Sequence, residues 1–308
     1  SGFIASHVVE QCLAKGWTVK ATVRDPSDAT KTAHLLALAG AKERLILHKA
    51  DLMEDGSFDP VFAGCECVFH TATPVIFNTE EGEKDIYSPG MQGMQQVLKA
   101  VAKNGVKNFV FTSSMSAMAP QPPPDVKDES HWSDSAVQKS KNNWYGACKT
   151  DQEKLIPEFL ATLPESERFR HVSICPTMVV GPMHQPGVNA TMARLAKAAA
   201  GDMFSQCPND SMSFIDVRDC AALHVAGFEN PEATGRYMCL IESWHWNDIC
   251  TLLKELNPAM KDVSPCEGDL EKPTQFNRAR QDSLGVSIRD VGTTLKESVE
   301  ELKAKGAL

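Results

Sequence analysis

The sequence has little that would suit a nucleic-acid or membrane partner. It carries 31 Lys and Arg against 40 Asp and Glu, for a net charge of −9, and has no block rich in Lys or Arg. An acidic chain without such a block does not favour binding to anionic polymers or lipid surfaces. No apolar run approaches the roughly 20 residues that cross a bilayer. We therefore expect neither a nucleic-acid partner nor a membrane partner.

The sequence also lacks Cys and His pairs at the spacing of a metal site, and it lacks the cysteine pattern of a disulfide framework. The ten cysteines are scattered, several of them in apolar strand-like stretches such as HVSICPTMVVGP (171–182). Cys65 and Cys67 have no second Cys or His pair at the spacing of a zinc site, and the nine histidines are dispersed. We expect buried thiols, no metal site and a reducing, cytoplasmic location.

What the sequence does contain is a regular alternation of strand and helix patterns. This alternation predicts βαβ units and an α/β fold with a parallel sheet covered by helices on both faces. After about residue 182 this alternation stops, and the strand and helix patterns of 183–216 and 241–308 are irregular and mixed. The strand-like runs are 17–23, 44–50, 65–72, 106–114 and 169–177, and the helical patterns are 4–15, 29–40, 90–104 and 145–162.

The opening stretch SGFIASH has the pattern of a phosphate-binding turn. Gly2 and Ala5 fit the second and third positions of G-x-x-G-x-x-[GA], the turn that brings a helix N-terminus to the pyrophosphate of a dinucleotide. A glycine before a helix is also common as a simple cap. On the phosphate interpretation, the first glycine and the first strand would lie before Ser1, so we expect the chain to be a fragment.

The next strand ends at Arg24, where the group that recognises the adenosine ribose is expected. An arginine there can bind a 2′-phosphate through charge-assisted hydrogen bonds, and Lys31 in the following helix would add a second positive charge. The pattern favours NADPH over NADH. The alternative is that both residues lie on a solvated strand end and helix face, and Asp25 adjoins Arg24.

Tyr145 and Lys149 are four residues apart in NNWYGACKTDQEKL, so both side chains lie on one face of the predicted helix. An ammonium group near a tyrosine favours the phenolate and can lower the pKa of the phenol from about 10, which makes tyrosine a usable proton donor and acceptor. Ser113, Ser114 and Ser116 at the end of the fourth strand-like run (106–114) offer hydroxyls to hold a substrate oxygen. Strand-end capping is the alternative role of these serines.

Taken together, these stretches resemble the extended short-chain dehydrogenase/reductase superfamily. Within it they are most similar to dihydroflavonol reductases, cinnamoyl-CoA reductases and related NADPH-dependent aldehyde and ketone reductases. The resemblance spans about residues 1–240. It rests on SGFIASHVVEQCLAKGWTVKATVRDPSD (1–28), ADL (50–52), VFHTATPV (68–75), FVFTSSMSA (109–117), NNWYGACK (142–149), CPTMVVGP (175–182) and SFIDVRDCAALHVAGFENPEATGRY (213–237).

The resemblance implies a Rossmann-type doubly wound sheet with a smaller C-terminal substrate lobe and with the first strand missing from this chain. It implies a dinucleotide-binding domain over 1–182, to which 217–240 returns, and a substrate-binding lobe over 183–216 and 241–308. The implied cofactor-binding residues are Gly2, Phe3 and Ile4 at the pyrophosphate, Arg24 and Lys31 at the 2′-phosphate, Asp51 and Leu52 beside the adenine, Thr71, Ala72 and Thr73 near the nicotinamide, Pro176, Thr177, Met178 and Val179 over the carboxamide, and Tyr145 and Lys149.

The implied catalytic residues are Ser114, Tyr145 and Lys149, with Ser114 preferred because the family uses the last serine of the pair. The implied reaction is hydride transfer from NADPH to the carbonyl of a mainly apolar aldehyde or ketone. Tyr145 would protonate the oxygen, Ser114 would hydrogen-bond it, and Lys149 would hold the nicotinamide ribose. Cys148, beside the lysine, is expected to pack the helix.

Substrate choice is expected to depend on TPVIFN (73–78), Met115, MHQPGVN (183–189) and NDSMSFI (209–215). The cinnamoyl-CoA reductase signature N-W-Y-C-Y-x-K reads NWYGACK here and matches at four positions. Reduction of an acyl-CoA thioester, oxidation of the 3β-hydroxysteroid type, nucleotide-sugar epimerisation and a non-catalytic dinucleotide sensor remain alternatives. We expect a monomer or a homodimer.

Overall fold

The computed structural model describes residues 1–73 and 79–308, and in its first half strands alternate with helices. The strands and helices predicted for this half are present, with ends within four residues of the predicted ends. The elements are α1 (Phe3–Ala14), β1 (Val19–Val23), α2 (Ala29–Leu36), α3 (Ala41–Arg44), β2 (Leu45–Lys49), α4 (Asp59–Phe62), β3 (Cys67–His70), a π-helical turn (Glu83–Tyr87), α5 (Ser88–Lys103), β4 (Asn108–Thr112), a 3₁₀ turn (Met115–Met118), β5 (Val126–Lys127), α6 (Ser135–Ser140) and α7 (Trp144–Thr162).

The second half is more regular than its sequence pattern predicts. The expectation that 183–216 and 241–308 are irregular is wrong, because both stretches hold helices of 11 residues or more. No helix of the described residues is both long and apolar enough to cross a membrane. The elements are a 3₁₀ turn (Glu165–Glu167), β6 (Arg170–Pro176), β7 (Met178–Val180), α8 (Ala190–Ala200), β8 (Ser211–Asp216), α9 (Val217–Glu229), β9 (Gly235–Cys239), β10 (Ser243–His245), α10 (Trp246–Leu256), β11 (Gln275–Phe276), α11 (Ala279–Asp282) and α12 (Val291–Ala304).

In the structure, the strands of the predicted parallel sheet pair in two separate pieces. Four parallel strands pair in the order β3-β4-β6-β9, and β1 pairs with β2, also in parallel. The register places Ile174 of β6 between Thr112 of β4 and Tyr237 of β9. Because these strands are parallel, the residues that follow them gather along one edge of the sheet.

Helices cover both faces of the four-stranded piece, as the alternation predicts. In β4, Phe109 and Phe111 lie in a buried cluster with residues of α5 and α7, whereas Val110 lies in the cluster that includes residues of α9. Successive side chains of a strand point to opposite faces, so neighbouring residues of β4 pack alternately against the two helix layers. The two clusters fix the sheet between the α5–α7 layer and α9, which packs against α1.

The two pieces of the sheet face each other across a cavity. β1 and β3 are the strands that border it, and neither pairs with the other in the described chain. The cavity, of about 1790 Å³, is lined by β1 from Val19 to Val23 and by β3 from Cys67 to His70, and it continues to the carboxyl edge of the sheet. The assignment of residues to two domains stays a prediction, although β9 pairs with β6 as a return of 217–240 requires.

A smaller sheet and helix α8 contribute second-half residues to the cavity lining. β8 pairs in parallel with β7 and antiparallel with β10. Helix α8 begins at Asn189, whose side chain accepts hydrogen bonds from the N–H groups of Thr191 and Met192, and it ends at Gly201 with φ +74°. These are standard cap signals, and Met192, Leu195 and Ala199 form its buried stripe.

Candidate functional site

The cavity brings together most of the residues that the sequence predicts for cofactor and substrate. Pockets for one small ligand measure roughly 300–1,000 Å³, so a cavity of about 1790 Å³ has room for more than one ligand even with the space between β1 and β3 included. Lys31 and Lys149 are not part of its lining. The predicted residues that line it are Gly2, Phe3, Ile4, Arg24, Asp51, Leu52, Thr71, Ala72, Thr73, Ser114, Tyr145, Pro176, Thr177, Met178 and Val179.

The N-terminus of α1 opens into this cavity. Gly2 is the N-cap residue, with extended backbone and no side-chain cap, and its carbonyl accepts the first helical hydrogen bond from the N–H of Ser6 at 2.9 Å. The N–H groups of a first helical turn carry partial positive charge and bind anions such as phosphate. The beginning of α1 therefore fits a pyrophosphate group.

The cation predicted to recognise the ribose lies at the end of β1. Arg24 is exposed on the cavity wall, and the neighbouring Asp25 accepts hydrogen bonds from the N–H and hydroxyl of Ser27 at 2.9 and 2.6 Å. Within residues 1–73 and 79–308, Arg24 has no ion-pair partner, so its guanidinium is available to an anionic ligand. Lys31 is exposed on α2, and the structure does not bring it to the cavity lining.

The residues predicted to lie beside the adenine follow β2. Asp51 accepts a hydrogen bond from the N–H of Met53 at 2.9 Å, which turns the chain after the strand. Leu52 packs closely against α5 at Gly93, where a Cβ atom would come within 2.9 Å of the Leu52 side chain. The glycine thus lets α5 approach the wall of the cavity.

Three side chains with the predicted catalytic chemistry converge at the carboxyl edge of the sheet. Tyr145 on the first turn of α7 lies beside Ser114, and both line the cavity. Lys149 lies one turn further along α7 and is 2% exposed. Its ammonium nitrogen is 6.0 Å from the centre of the Tyr145 ring. As the spacing predicts, both side chains lie on one face of α7, with Lys149 behind Tyr145.

The pKa of Tyr145 differs from the prediction. Burial raises it to about 12, although the neighbouring Ser114 hydroxyl acts in the opposite direction. The expected lowering by Lys149 is wrong for this structure, because desolvation of the phenolate is the larger effect. Burial also lowers the pKa of Lys149 to about 8. At neutral pH Tyr145 is a protonated hydroxyl, which is the form that donates a proton.

The two adjacent serines after β4 have different environments. Ser113 is 1% exposed and donates a hydrogen bond of 2.6 Å to Glu153. Ser114 lines the cavity and accepts a hydrogen bond of 3.1 Å from the N–H of Ser116. Ser113 and Ser116 also line the cavity, but the Ser113 hydroxyl is engaged by Glu153, so the Ser114 hydroxyl is the one available beside Tyr145. The Ser116 hydroxyl is buried without a hydrogen-bond partner among the described residues.

Several cavity residues were not predicted from the sequence. His70 ends β3 with its ring stacked near Phe111, and burial lowers its pKa to about 3. Arg194 on α8 and Lys127 in β5 place two cations on the substrate side. Among the described residues neither forms an ion pair. No local motif marks these residues, and Arg194 reaches the cavity only through the packing of α8 in the second half of the chain.

The predicted substrate-specificity segments are only partly described. Residues 74–78, most of TPVIFN, lie outside the described residues, whereas Met115 and Asn189 line the cavity, as do Ser211, Met212 and Ser213. Cys148 packs against α5, where a Cβ atom at Gly90 would come within 2.4 Å of its sulfur, and burial raises the pKa of its thiol to about 11. All ten cysteines are free.

Comparison with known proteins connects this geometry with a protein family. The model of the NAD dependent epimerase/dehydratase family matches residues 1–239. The cinnamoyl-CoA reductase CAD2 of Medicago truncatula is 38% identical over 315 residues, which cover 99% of this chain and 94% of that protein. The expectation that this chain is a fragment gains no support from a match of that extent.

Two solved structures share the fold over nearly the whole chain. Vestitone reductase from alfalfa (Medicago sativa) superposes with a TM-score of 0.82 at 27% identity, covering 100% of this chain and 97% of that one. The yeast methylglyoxal/isovaleraldehyde reductase Gre2, solved in complex with NADPH, has a TM-score of 0.83 at 24% identity, with coverage of 100% and 97%. The Rossmann-type architecture predicted from the alternation of strands and helices is confirmed.

Proposed function

The chain belongs to the NAD dependent epimerase/dehydratase family, and from that premise we propose that it is an NADPH-dependent reductase of a mainly apolar aldehyde or ketone. The product is the corresponding alcohol. The observation that carries the proposal is the convergence of Ser114, Tyr145 and the buried Lys149 at one end of a cavity whose other end offers a helix N-terminus and Arg24.

The cavity fits a phosphorylated dinucleotide. The first turn of α1 binds the pyrophosphate through its N–H groups, and Arg24 binds the 2′-phosphate through charge-assisted hydrogen bonds. Arg24 is suited to this role because Asp25 is engaged by Ser27 and does not neutralise it. When bound, NADPH supplies the hydride.

The proton chemistry belongs to Tyr145. Its raised pKa keeps the hydroxyl protonated at neutral pH, so it donates a hydrogen bond and then a proton to the carbonyl oxygen as negative charge develops there. Ser114 donates a second hydrogen bond to the same oxygen. The protonated phenol is the form that reduction of a carbonyl requires.

Lys149 has a positioning and electrostatic role in this scheme. Its ammonium group is fixed by hydrogen bonds to the Thr73 hydroxyl at 2.8 Å and to the Thr112 carbonyl at 2.6 Å. A cation held behind Tyr145 stabilises the phenolate that remains after proton transfer. The third ammonium hydrogen is left for the ribose of the nicotinamide or for a water molecule.

An apolar substrate fits the side chains around the reaction end. Met115, Met178 and Phe276 line this part of the cavity, and Met212 contributes from β8. Such side chains gain free energy by excluding water from an apolar ligand, roughly 25 cal/mol per Å² of apolar surface buried. Ser114 and Tyr145 then provide the few polar contacts that orient the carbonyl.

Reduction of an acyl-CoA thioester is a second candidate function. The relative in Medicago truncatula bears the name cinnamoyl-CoA reductase, and Arg194 and Lys127 offer cations for phosphate groups on the substrate side. Against it, this chain has Gly146 and Ala147 where the signature has Cys and Tyr. Gly146 is tightly packed, since a Cβ atom there would lie 2.6 Å from the Asn143 amide, and Ala147 is fully buried.

Steady-state NADPH oxidation with matched substrates distinguishes the two candidates. We expect higher kcat/KM for apolar aldehydes and ketones than for the acyl-CoA thioester with the same acyl group. Arg194→Gln should then leave kcat/KM for the uncharged carbonyl compounds unchanged. If the thioester is the better substrate and Arg194→Gln raises its KM at least tenfold, the second candidate is correct. Absence of NADPH oxidation with every compound would contradict both.

A further inference from the structure

Three potential metal ligands, one buried and two partly buried, meet outside the lining of the cavity. His7 and Glu10 lie on α1, and His184 lies in the segment after β7, 174 positions beyond Glu10. One ligand atom from each residue lies within 4.8 Å of the other two. None of the three residues lines the large cavity. The sequence predicts no metal site because its histidines are dispersed, and folding alone brings these side chains together.

The hydrogen bonding of His7 fixes which ring nitrogen is free to bind an ion. His7 Nε2 lies 2.9 Å from the carbonyl oxygen of Pro182. A carbonyl oxygen only accepts hydrogen bonds, so Nε2 carries the proton and Nδ1 of the neutral ring presents a lone pair. Nδ1 is buried and has no hydrogen-bond partner among the described residues. His7 as a whole is 1% exposed.

The lone pair of His7 faces a carboxylate. Glu10 Oε2 is 3.3 Å from His7 Nδ1 and 3.0 Å from His184 Nε2. A neutral nitrogen lone pair and a carboxylate oxygen repel each other at this separation unless a proton or a metal ion lies between them. His184 Nε2 donates a hydrogen bond to the same Glu10 oxygen, and a metal ion bound there would take the place of that proton.

We propose that His7 Nδ1, Glu10 Oε2 and His184 Nε2 bind one divalent transition-metal ion, and that Zn²⁺ is the ion that fits best. Zinc binds nitrogen and carboxylate oxygen at about 2.0–2.2 Å with tetrahedral geometry, which places neighbouring ligand atoms roughly 3.3–3.5 Å apart. The Glu10–His7 separation already has this value, and the Glu10–His184 separation is slightly shorter. Water completes the coordination.

The surroundings of the cluster agree with a metal site. Metal-bound histidines usually donate their second ring N–H to a carbonyl or carboxylate, and the Pro182 carbonyl does this for His7. The Glu10 and His184 side chains are 44% and 26% exposed, which gives an ion access from solvent. The centres of the two imidazole rings lie 4.2 Å apart, and both rings contact the same Glu10 oxygen.

The position of the site suggests a structural role. Helix α1 presents its first turn to the cavity, and β7, which precedes His184, contributes Met178 and Val179 to the opposite wall. An ion bound by both segments cross-links two walls of the cavity from outside. We expect the ion to stabilise the folded protein without taking part in the reaction at Tyr145.

Metal binding can be measured on the full chain with ZnCl2 after treatment with a chelator. We expect one zinc ion per chain by elemental analysis, and a rise in Tm of several degrees at about 100 times the Kd. Glu10→Gln and His184→Gln should each weaken zinc binding at least tenfold. With Co²⁺ as the probe, the tetrahedral absorption bands should be present in the unchanged protein and lost in both variants.

His131→Gln is the matched control. His131 Nδ1 lies 3.0 Å from Asp128 at the same three-residue spacing as His7 and Glu10, but the cluster of three ligands found in the described residues does not include it. This variant should bind zinc like the unchanged protein. The proposal is overturned if the unchanged chain takes up no zinc and shows no Tm shift, or if His131→Gln loses as much affinity as Glu10→Gln. Glu10 is half-exposed, so Glu10→Gln tests the site even if a histidine variant folds poorly.

Discussion

Lys149 donates a hydrogen bond of 2.8 Å to the hydroxyl of Thr73. Thr73 follows β3, and the same ammonium group also binds the carbonyl of Thr112 at the end of β4. One buried cation from α7 therefore ties together the carboxyl ends of two neighbouring strands. This arrangement holds Tyr145, one helical turn earlier, at the edge of the cavity.

Burial of this cation makes stability depend on pH. The pKa of Lys149 is lowered from 10.5 to about 8 because burial disfavours the charged form. Between these values the unfolded chain binds more protons than the folded chain, so stability rises with pH in this window. Relative to Lys149→Met, the wild-type free energy of unfolding should increase by up to about 3 kcal/mol. Urea unfolding of both proteins at about pH 7 and pH 10 measures this. If the difference in free energy of unfolding between the two proteins is the same at both pH values, the buried-cation interpretation is contradicted.

The two serines after β4 should respond differently to replacement by alanine. Ser113→Ala removes a hydrogen bond to the buried Glu153, so we expect a loss of about 1.5–3 kcal/mol in stability with kcat nearly unchanged. Ser114→Ala should lower kcat about 10²-fold and cost only about 1 kcal/mol, the contribution of its cap to the 3₁₀ turn. Thermal melts and kcat measurements on both variants test this. The reverse pattern would assign the catalytic hydroxyl to Ser113.

Cofactor preference should depend on Arg24 and not on Lys31. Arg24→Ala removes a charge-assisted hydrogen bond to the 2′-phosphate, so we expect the Kd for NADPH to rise roughly 10- to 100-fold while the Kd for NADH changes little. Lys31→Ala is the control, because Lys31 lies on the exposed side of α2 and outside the cavity lining. Fluorescence titration with both nucleotides checks the prediction. Equal losses for NADPH and NADH would mean that Arg24 does not bind the phosphate.

The features that depend on local sequence could be predicted well. The strand ends at Val23 and Thr112 were predicted within two residues because alternating strands and helices leave a strong periodic signal. Tyr145 and Lys149 face the same way because i and i+4 are neighbours on any α-helix. The convergence of strand ends at one edge follows from the parallel order, which the alternation also predicts.

The features that depend on burial and long-range packing could not be predicted. The sequence shows that Lys149 is near Tyr145, but not that desolvation raises the pKa of the tyrosine. The contacts of His70 and the approach of His7 to His184 arise only when distant segments pack together. Helix α8 is an exception, because its cap signals at Asn189 and Gly201 and its amphipathic apolar stripe are local and could have been recognised in the sequence.

The proton-donor role of Tyr145 is the central claim, and Tyr145→Phe tests it most directly. Tyr237→Phe is the control, because Tyr237 is buried in β9 and does not line the cavity. With the best carbonyl substrate, we predict that kcat of Tyr145→Phe falls about 10²- to 10⁴-fold while its Kd for NADPH stays within about threefold of wild type, since only the proton-transfer group is lost. Tyr237→Phe should retain wild-type kcat. Retention of more than about a tenth of kcat by Tyr145→Phe would contradict the assignment.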